Sequence, residues 1–144
     1  MIFVDSNIWC YYFDQRLPEH KQIREPLREI IKFEEIVCNT IVVMEVAHYL
    51  VRHFTEDEAN KKIDYFINLR NMKIADFNRQ MMTETIETLI KHAYTDGLGG
   101  RDATLLATMN SQNIKKIISH DDIFKRLAGK LMLEVIDPIR TTPK

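Results

Sequence analysis

Short apolar segments alternate along this chain with longer segments in which apolar residues recur every three or four positions. Segments 2–4 and 36–38 are wholly apolar, which is typical of strands covered on both faces of a sheet. Further candidate strands lie at 73–76, 114–118 and 133–136. The longer repeat predicts helices over about 18–33, 42–51, 55–70, 82–93, 103–109 and 124–127. This alternation predicts an α/β fold, a three-layer α/β/α domain with a mostly parallel central sheet.

Two helix ends are marked by residues that favour them. Thr55 and Glu58 have the spacing of a capping box at the start of a helix. Gly97 follows the 82–93 segment and suits the left-handed residue that ends many helices. Within that segment, apolar residues lie in phase on one helix face: Met82, Ile86, Leu89, Ile90 and Ala93.

Composition limits the chain to one domain and does not favour any class of partner. The 144 residues are 45% apolar and include only four Gly and four Pro, so we expect a single domain over 1–144 without linkers. The 20 basic and 21 acidic side chains leave a formal charge of −1. Because no global basic field exists, a polyanion would have to be held by a bound metal ion or by local basic patches.

The cysteines and the N-terminus bear on the cellular compartment. Cys10 and Cys38 stand beside apolar residues and lack the second pair that a zinc site needs, so we expect two free thiols in a reducing environment. The first residues resemble a strand and not a signal peptide, and no apolar run is long enough to span a membrane. We therefore expect a cytoplasmic protein without a membrane partner.

Acidic residues from distant parts of the sequence are expected at one edge of the sheet. Asp5 directly follows the first strand, and Asp121 closely follows the strand that ends at 118. In open parallel sheets, ligands bind beyond the carboxyl ends of the strands. Asp102 begins a helix, where the helix dipole favours a carboxylate, and such helices start at the same edge. Glu45 lies one turn into an apolar helix and faces either water or a partner.

Each acid taken alone has a simpler explanation. Asp5 and Asp121 are suited to cap helices, Asp102 to complement a helix dipole, and Glu45 to be an ordinary solvated side chain. Together, however, several carboxylates at one edge repel each other and raise each other's pKa. A hard divalent cation would remove that conflict, and ligation by oxygen alone favours Mg²⁺ or Mn²⁺.

Four segments, in order along essentially the whole chain, resemble the motifs of the PIN-domain family. They are Phe3-Val4-Asp5-Ser6-Asn7-Ile8, Val43-Met44-Glu45-Val46, Arg101-Asp102-Ala103-Thr104-Leu105-Leu106-Ala107 and Ile117-Ile118-Ser119-His120-Asp121-Asp122-Ile123-Phe124. The resemblance implies a PIN-like fold and a Mg²⁺- or Mn²⁺-dependent endoribonuclease that hydrolyses RNA phosphodiester bonds. Among PIN domains the chain looks most like short VapC toxins, which pair with a VapB-like antitoxin protein and commonly form homodimers.

The same resemblance assigns roles to individual residues. Asp5 and Asp102 would be the principal metal ligands, and Glu45 and Asp121 would complete the catalytic site. Three further residues would orient these acids: Ser6, Asn7 and Ser119.

The chain departs from the family pattern at its last motif. That motif often holds one Asp, whereas here two are adjacent; Asp121 is the better match because it stands two residues after Ser119 and three before Phe124. Arg101 and His120, each beside a site acid, are candidate phosphate contacts. A solvent-facing arginine and a capping histidine are the simpler expectations for them.

Several other functions fit parts of the sequence. The same fold serves a PIN-like module that binds RNA or protein without cleavage, or a nuclease that processes ribosomal RNA. Glu45 and His48 have the E-x-x-H spacing of di-iron bundles, but such sites need two copies. An aspartyl phosphotransferase would have a second Asp two residues after Asp5, where this chain has Asn7.

Overall fold

A computed structural model describes residues 1–140 of the chain. Within them, five strands form one sheet in the order β3-β2-β1-β4-β5, and every pair of neighbouring strands is parallel. The strands are β1 (Ile2–Val4), β2 (Ile36–Asn39), β3 (Met72–Ala75), β4 (Lys116–Ile118) and β5 (Glu134–Ile136). The predicted α/β class is confirmed, with a sheet that is parallel throughout.

Seven helices flank this sheet in the described part of the chain. They are α1 (Ser6–Phe13), α2 (His20–Phe33), α3 (Thr40–His53), α4 (Glu56–Ile67), α5 (Arg79–Asp96), α6 (Gly100–Ser111) and α7 (Asp122–Leu131). The sequence interpretation did not include α1, because eight residues are too few to show a clear helical repeat. The last predicted helix, over 124–127, is longer in the structure because α7 begins at Asp122 and continues to Leu131.

Local signals explain how the helices begin and end. The capping box of Thr55 and Glu58 is present at the start of α4, as predicted. Asn39 caps α3, since its Oδ1 accepts a hydrogen bond from the backbone N of Val42 at 2.9 Å. Gly97 has a φ of +73° and ends α5 in the left-handed conformation, which glycine adopts without steric cost.

The centre of the molecule is built on β1, β2 and α1. Both strands are fully buried, as expected for inner strands of a sheet with helices on both faces. Trp9 of α1 packs against Phe66 of α4, with ring centroids 4.7 Å apart. This packing fixes α1 and therefore fixes the carboxyl end of β1, from which the helix starts.

Part of the in-phase apolar face of α5 is not in the core. Met82, Ile86 and Ile90 are exposed, and Tyr94, one turn further, is exposed as well. The helix is as predicted, but these side chains lie on its outer side because α5 packs on α6 through its opposite face, which includes Thr85 and His92.

The two thiols are separate from each other. Cys38 is buried and Cys10 is half-buried, and neither is in a disulfide. Burial raises the pKa of Cys38 to about 12, and burial together with the charges of Glu45 and Asp5 does the same for Cys10.

Across residues 1–140, no helix has both the length and the apolar character needed to cross a membrane.

Candidate active site at the carboxyl edge of the sheet

Asp5 is the most deeply buried acid at the carboxyl edge of the sheet. It follows β1, caps α1 and has no solvent exposure. Its Oδ1 accepts a hydrogen bond from the backbone N of Ser6 at 2.7 Å, and its Oδ2 accepts one from Ser119 Oγ at 2.7 Å. The capping role expected for a residue at this position is therefore real, but the carboxylate has further partners.

Three other acids approach Asp5 from three different helices. Glu45 lies in α3, Asp102 in the first turn of α6 and Asp121 at the N-cap position of α7, where its side chain forms no capping bond. We call Asp5, Glu45, Asp102 and Asp121 the acid cluster. The parallel topology brings these residues together although up to 116 positions separate them, as the sequence predicts.

A single arginine joins the four members of the acid cluster. The guanidinium of Arg101 lies 3.0 Å from Glu45 Oε1, 2.8 Å from Asp102 Oδ1 and 3.6 Å from Asp121 Oδ2, and it also pairs with Asp5 Oδ1. The expectation that Arg101 faces solvent is therefore wrong, because its side chain is only 30% exposed. Burial alone would lower the pKa of Arg101, but its contacts with the acids, Asp5 above all, hold that pKa above its usual range.

The acid cluster carries more negative charge than Arg101 can neutralise. Burial raises the pKa of Asp121 to about 6, and the charges of Asp5 and Asp102 add to the effect against the opposing charge of Arg101. Four carboxylates and one guanidinium leave a formal excess of about three negative charges in one small volume. Such an excess is what a site for a cationic ligand would show.

Two serines support this arrangement. Ser119 Oγ donates to Asp5 and accepts from the backbone N of Asp121 at 3.1 Å, so it links two members of the acid cluster. Ser6 Oγ lies 3.5 Å from Glu45 Oε2 and also contacts Arg101. Both hydroxyls therefore form hydrogen bonds with carboxylates of the acid cluster.

Comparison with known proteins identifies the family. A model described as "PIN domain" matches residues 2–130. The chain belongs to the PIN-domain family. No curated protein sequence matches this chain.

Solved structures with a similar fold include toxin–antitoxin proteins. The PIN chain superposes on VapC20 of Mycobacterium tuberculosis with a TM-score of 0.73 and 17% identity, covering 88% of this chain and 94% of that one. For VapBC2 of Rickettsia felis the TM-score is 0.69 at 20% identity, with 95% and 98% covered. FitAcB of Neisseria gonorrhoeae superposes with a TM-score of 0.70 and 16% identity, covering 96% of this chain and 98% of that one. At these identities the likeness shows a shared fold.

Three residues close to members of the acid cluster do not join it. The side chain of Asn7 forms no hydrogen bond with the acids, and its Oδ1 is buried without a hydrogen-bond partner among residues 1–140. Asp122 is 86% exposed and lies 3.7 Å from Lys125, so it does not share the position of Asp121. His120 Nδ1 bonds Asp137 Oδ2 at 2.9 Å, so the expectation that this histidine caps a helix is wrong.

Sequence reasoning missed a cleft beside the acid cluster. Its volume is about 830 Å³, and Ser6 and Glu45 line it together with the apolar side chains of Ile41, Met44 and Phe77. Residues 41, 44, 45 and 48 share one face of α3, and this spacing of three and four was the only signal in the sequence. The cleft is large enough to hold part of a substrate next to the acids.

The donor chemistry of the acid cluster fits a hard divalent cation, but Arg101 occupies the point on which the oxygens converge. All four members offer carboxylate oxygens, the ligands that Mg²⁺ and Mn²⁺ prefer. As the side chains stand, no group of three or more His, Cys, Asp or Glu residues within 1–140 is placed to hold a metal ion. The residues therefore fit the ion in the chemistry of their oxygen donors, and the ion can bind among them only if the guanidinium of Arg101 moves away.

Proposed function

We propose that this PIN-domain protein is a metal-dependent endoribonuclease, the VapC-like toxin of a type II toxin–antitoxin pair. The observation that carries the proposal is the convergence of four carboxylates, from four separate elements, on one guanidinium. A structural ion pair needs one acid for one arginine, whereas this site gathers three more acids than charge balance requires. Such a surplus is expected where a cation and a phosphate group are to be held.

In this proposal the acid cluster holds Mg²⁺ or Mn²⁺, with Asp5 and Asp102 as the principal ligands. A bound divalent ion would supply an activated water and neutralise the charge that grows on a phosphodiester. Asp5 is oriented by the backbone N of Ser6 and by Ser119 Oγ, so its oxygens have little freedom to turn. Preorganised carboxylates of this kind lose little entropy when they bind a ligand.

The cleft beside the acid cluster offers a surface along which an RNA strand could bind. Its walls adjoin Glu45 and Ser6, and His48 and Arg52 add polar groups that can meet a nucleotide. A phosphodiester at the acid cluster would therefore place a neighbouring nucleotide over apolar side chains. This is the basis on which we propose RNA, and not a small phosphate ester, as the substrate.

The solved relatives support the toxin–antitoxin part of the proposal. One is described as a toxin that cleaves the Sarcin-Ricin loop, and others are VapBC complexes bound to DNA. We extend to this chain a VapB-like antitoxin as partner. A homodimer and a cytoplasmic location remain predictions; the exposed apolar side chains of α5 are consistent with a protein contact.

The decisive test is Asp5→Asn, with Asp14→Asn as the matched control. Both aspartates are buried at the ends of α1, but Asp14 lies outside the acid cluster. With Mg²⁺, Asp5→Asn should cleave RNA at least roughly 100-fold more slowly, because it loses a principal ligand. Asp14→Asn, normalised to folded protein, should keep the wild-type rate and leave 5′-phosphate and 3′-hydroxyl ends.

Calorimetry with Mn²⁺ makes the test independent of the RNA chosen. The wild-type protein and Asp14→Asn should bind Mn²⁺, and Asp5→Asn should not. If Asp5→Asn folds normally, binds Mn²⁺ and cleaves at the wild-type rate, the proposed function is wrong.

A further inference from the structure

Arg101 contacts every member of the acid cluster through all three of its guanidinium nitrogens. Its Nε donates to Glu45 Oε1 and Oε2 at 3.0 and 3.2 Å. Its Nη1 donates to Asp102 Oδ1 at 2.8 Å, and its Nη2 bonds Asp5 Oδ1 and Ser6 Oγ. The side chain thus engages carboxylate oxygens of every member of the acid cluster, the class of ligand that a divalent ion would use.

We propose that Arg101 is an internal competitor for the metal ion, an inference that rests on the proposed function. The guanidinium of Arg101 partly neutralises the acid cluster when no divalent ion is bound, and the ion must displace it. Metal binding at this site is then an exchange of one cation for another. The guanidinium and the ion compete for the site, since both bind the same four carboxylates and they repel each other.

The surroundings of Arg101 allow this displacement without unfolding. Its side chain is 30% exposed, so Arg101 lies at the surface of the site and is not enclosed in the core. The backbone of α6 does not need to move, because rotation about the side-chain bonds of Arg101 is sufficient to withdraw the guanidinium. Once withdrawn, the arginine stays within one residue of Asp102, where it can meet a substrate phosphate by paired hydrogen bonds.

The exchange explains how four acids are tolerated in the protein without metal. Carboxylates this close would repel each other strongly if no cation stood between them. Arg101 reduces this repulsion but also weakens metal binding, because its own charge-assisted contacts must be broken first. Removing the arginine should therefore destabilise the metal-free protein and tighten the binding of the ion.

The test compares Arg101→Gln with Arg16→Gln by calorimetry with Mn²⁺. Arg16 also pairs with a buried aspartate, Asp14, but lies outside the acid cluster, so its variant controls for the loss of one positive charge. We expect Arg101→Gln to bind Mn²⁺ with a Kd roughly tenfold lower than wild type, and Arg16→Gln to keep the wild-type Kd. In thermal unfolding, Mn²⁺ should raise the Tm of Arg101→Gln more than that of wild type.

A measurement on the wild-type protein covers the case in which Arg101→Gln does not fold without metal. In ¹⁵N NMR spectra, the Nε–H signal of Arg101 should shift as Mg²⁺ is added, while that of Arg16 stays in place. The Arg101 signal should not respond in Asp5→Asn. If Mg²⁺ shifts the backbone amide of Ser6 but leaves Arg101 unchanged, the ion binds without displacement and the proposal is wrong.

The outcomes separate this proposal from the proposed function. If wild type and Arg101→Gln bind Mn²⁺ equally and Asp5→Asn does not bind, the metal site is supported and the competition is refuted. If neither wild type nor Arg101→Gln binds Mn²⁺, both proposals fail. If Arg101→Gln binds Mn²⁺ more tightly than wild type and Arg16→Gln does not, both proposals are supported.

Discussion

The two ends of α1 hold buried aspartates in opposite electrostatic situations. At the C-terminal end, Asp14 meets one arginine, Arg16, at 2.8 and 3.0 Å and accepts a hydrogen bond from Tyr49 Oη at 2.6 Å. We call these three residues the Asp14 clamp. At the N-terminal end, Asp5 shares its arginine with three more acids. One site is balanced in charge and the other is not.

Under our proposals, the difference separates an ion pair that stabilises the fold from one that occupies the place of a bound metal ion. The hydrogen bond from Arg16, together with that of Tyr49, holds the pKa of Asp14 well below its usual range despite burial. In the acid cluster the pKa of Asp121 moves in the opposite direction. A carboxylate whose charge is matched by one arginine is structural, whereas a carboxyl group whose pKa is raised by burial and by neighbouring carboxylates, as at Asp121, supports the cation site that we propose.

The largest effect on stability is expected from Asp14→Asn. The substitution takes the charged partner from Arg16 and weakens the acceptor of Tyr49, which should cost about 2 kcal/mol of unfolding free energy. Urea denaturation measures this loss. The control is Asp57→Asn, since Asp57 forms an exposed pair with Lys61 at 3.1 Å and should change stability by less than about 0.5 kcal/mol. Equal stability of the two variants would show that the Asp14 clamp is not structural.

A smaller effect of opposite sign is expected from Asp121→Asn in the protein without metal. The change removes one of four mutually repelling charges, so the variant in EDTA should be more stable than wild type. Because Asp121 is 43% exposed, solvent screening keeps the gain below about 1 kcal/mol. Asp122→Asn, one residue away and 86% exposed, is the control and should have no such effect. Equal unfolding free energies of the two variants would contradict the repulsion.

The sequence was sufficient to predict the sheet edge on which the acids meet. Asp5 follows an apolar strand directly, and parallel strands end at the same edge, so topology alone places Asp5 near Asp121. The sequence was not sufficient to predict the position of Arg101. A helix repeat shows which residues share a face, but the direction of a long side chain depends on charges contributed by other elements, here Asp5 and Glu45.

The apolar face of α5 shows a second limit. Met82, Ile86 and Ile90 have the spacing of a buried helix face, yet they are exposed. Periodicity indicates that a helix is amphipathic but does not indicate whether its apolar side meets the core of its own chain or another surface.

The smallest expected effect is a pH dependence that differs between the two ends of α1. In the metal-free protein Asp121 faces Asp5, Asp102 and Arg101, with Tyr11 nearby, and its pKa of about 6 lies above the ordinary value of 3.8. A raised pKa means that the folded state binds the proton more readily, so this contribution to stability is present at low pH and is lost as the pH rises through about 6. Wild type in EDTA should therefore gain stability relative to Asp121→Asn as the pH falls from 7 to 5.

The pH dependence of stability that Asp14 contributes has the opposite sign to that of Asp121. Because its pKa is lowered in the folded state, its contribution is present at neutral pH and is lost as the pH falls below its ordinary range. Wild type should thus lose stability relative to Asp14→Asn in strong acid. Urea denaturation across pH 2 to 7 measures both differences. A stability difference between wild type and Asp121→Asn that does not change with pH would show that the acids of the cluster do not repel each other, and the contrast between the two ends of α1 would then lose its electrostatic basis.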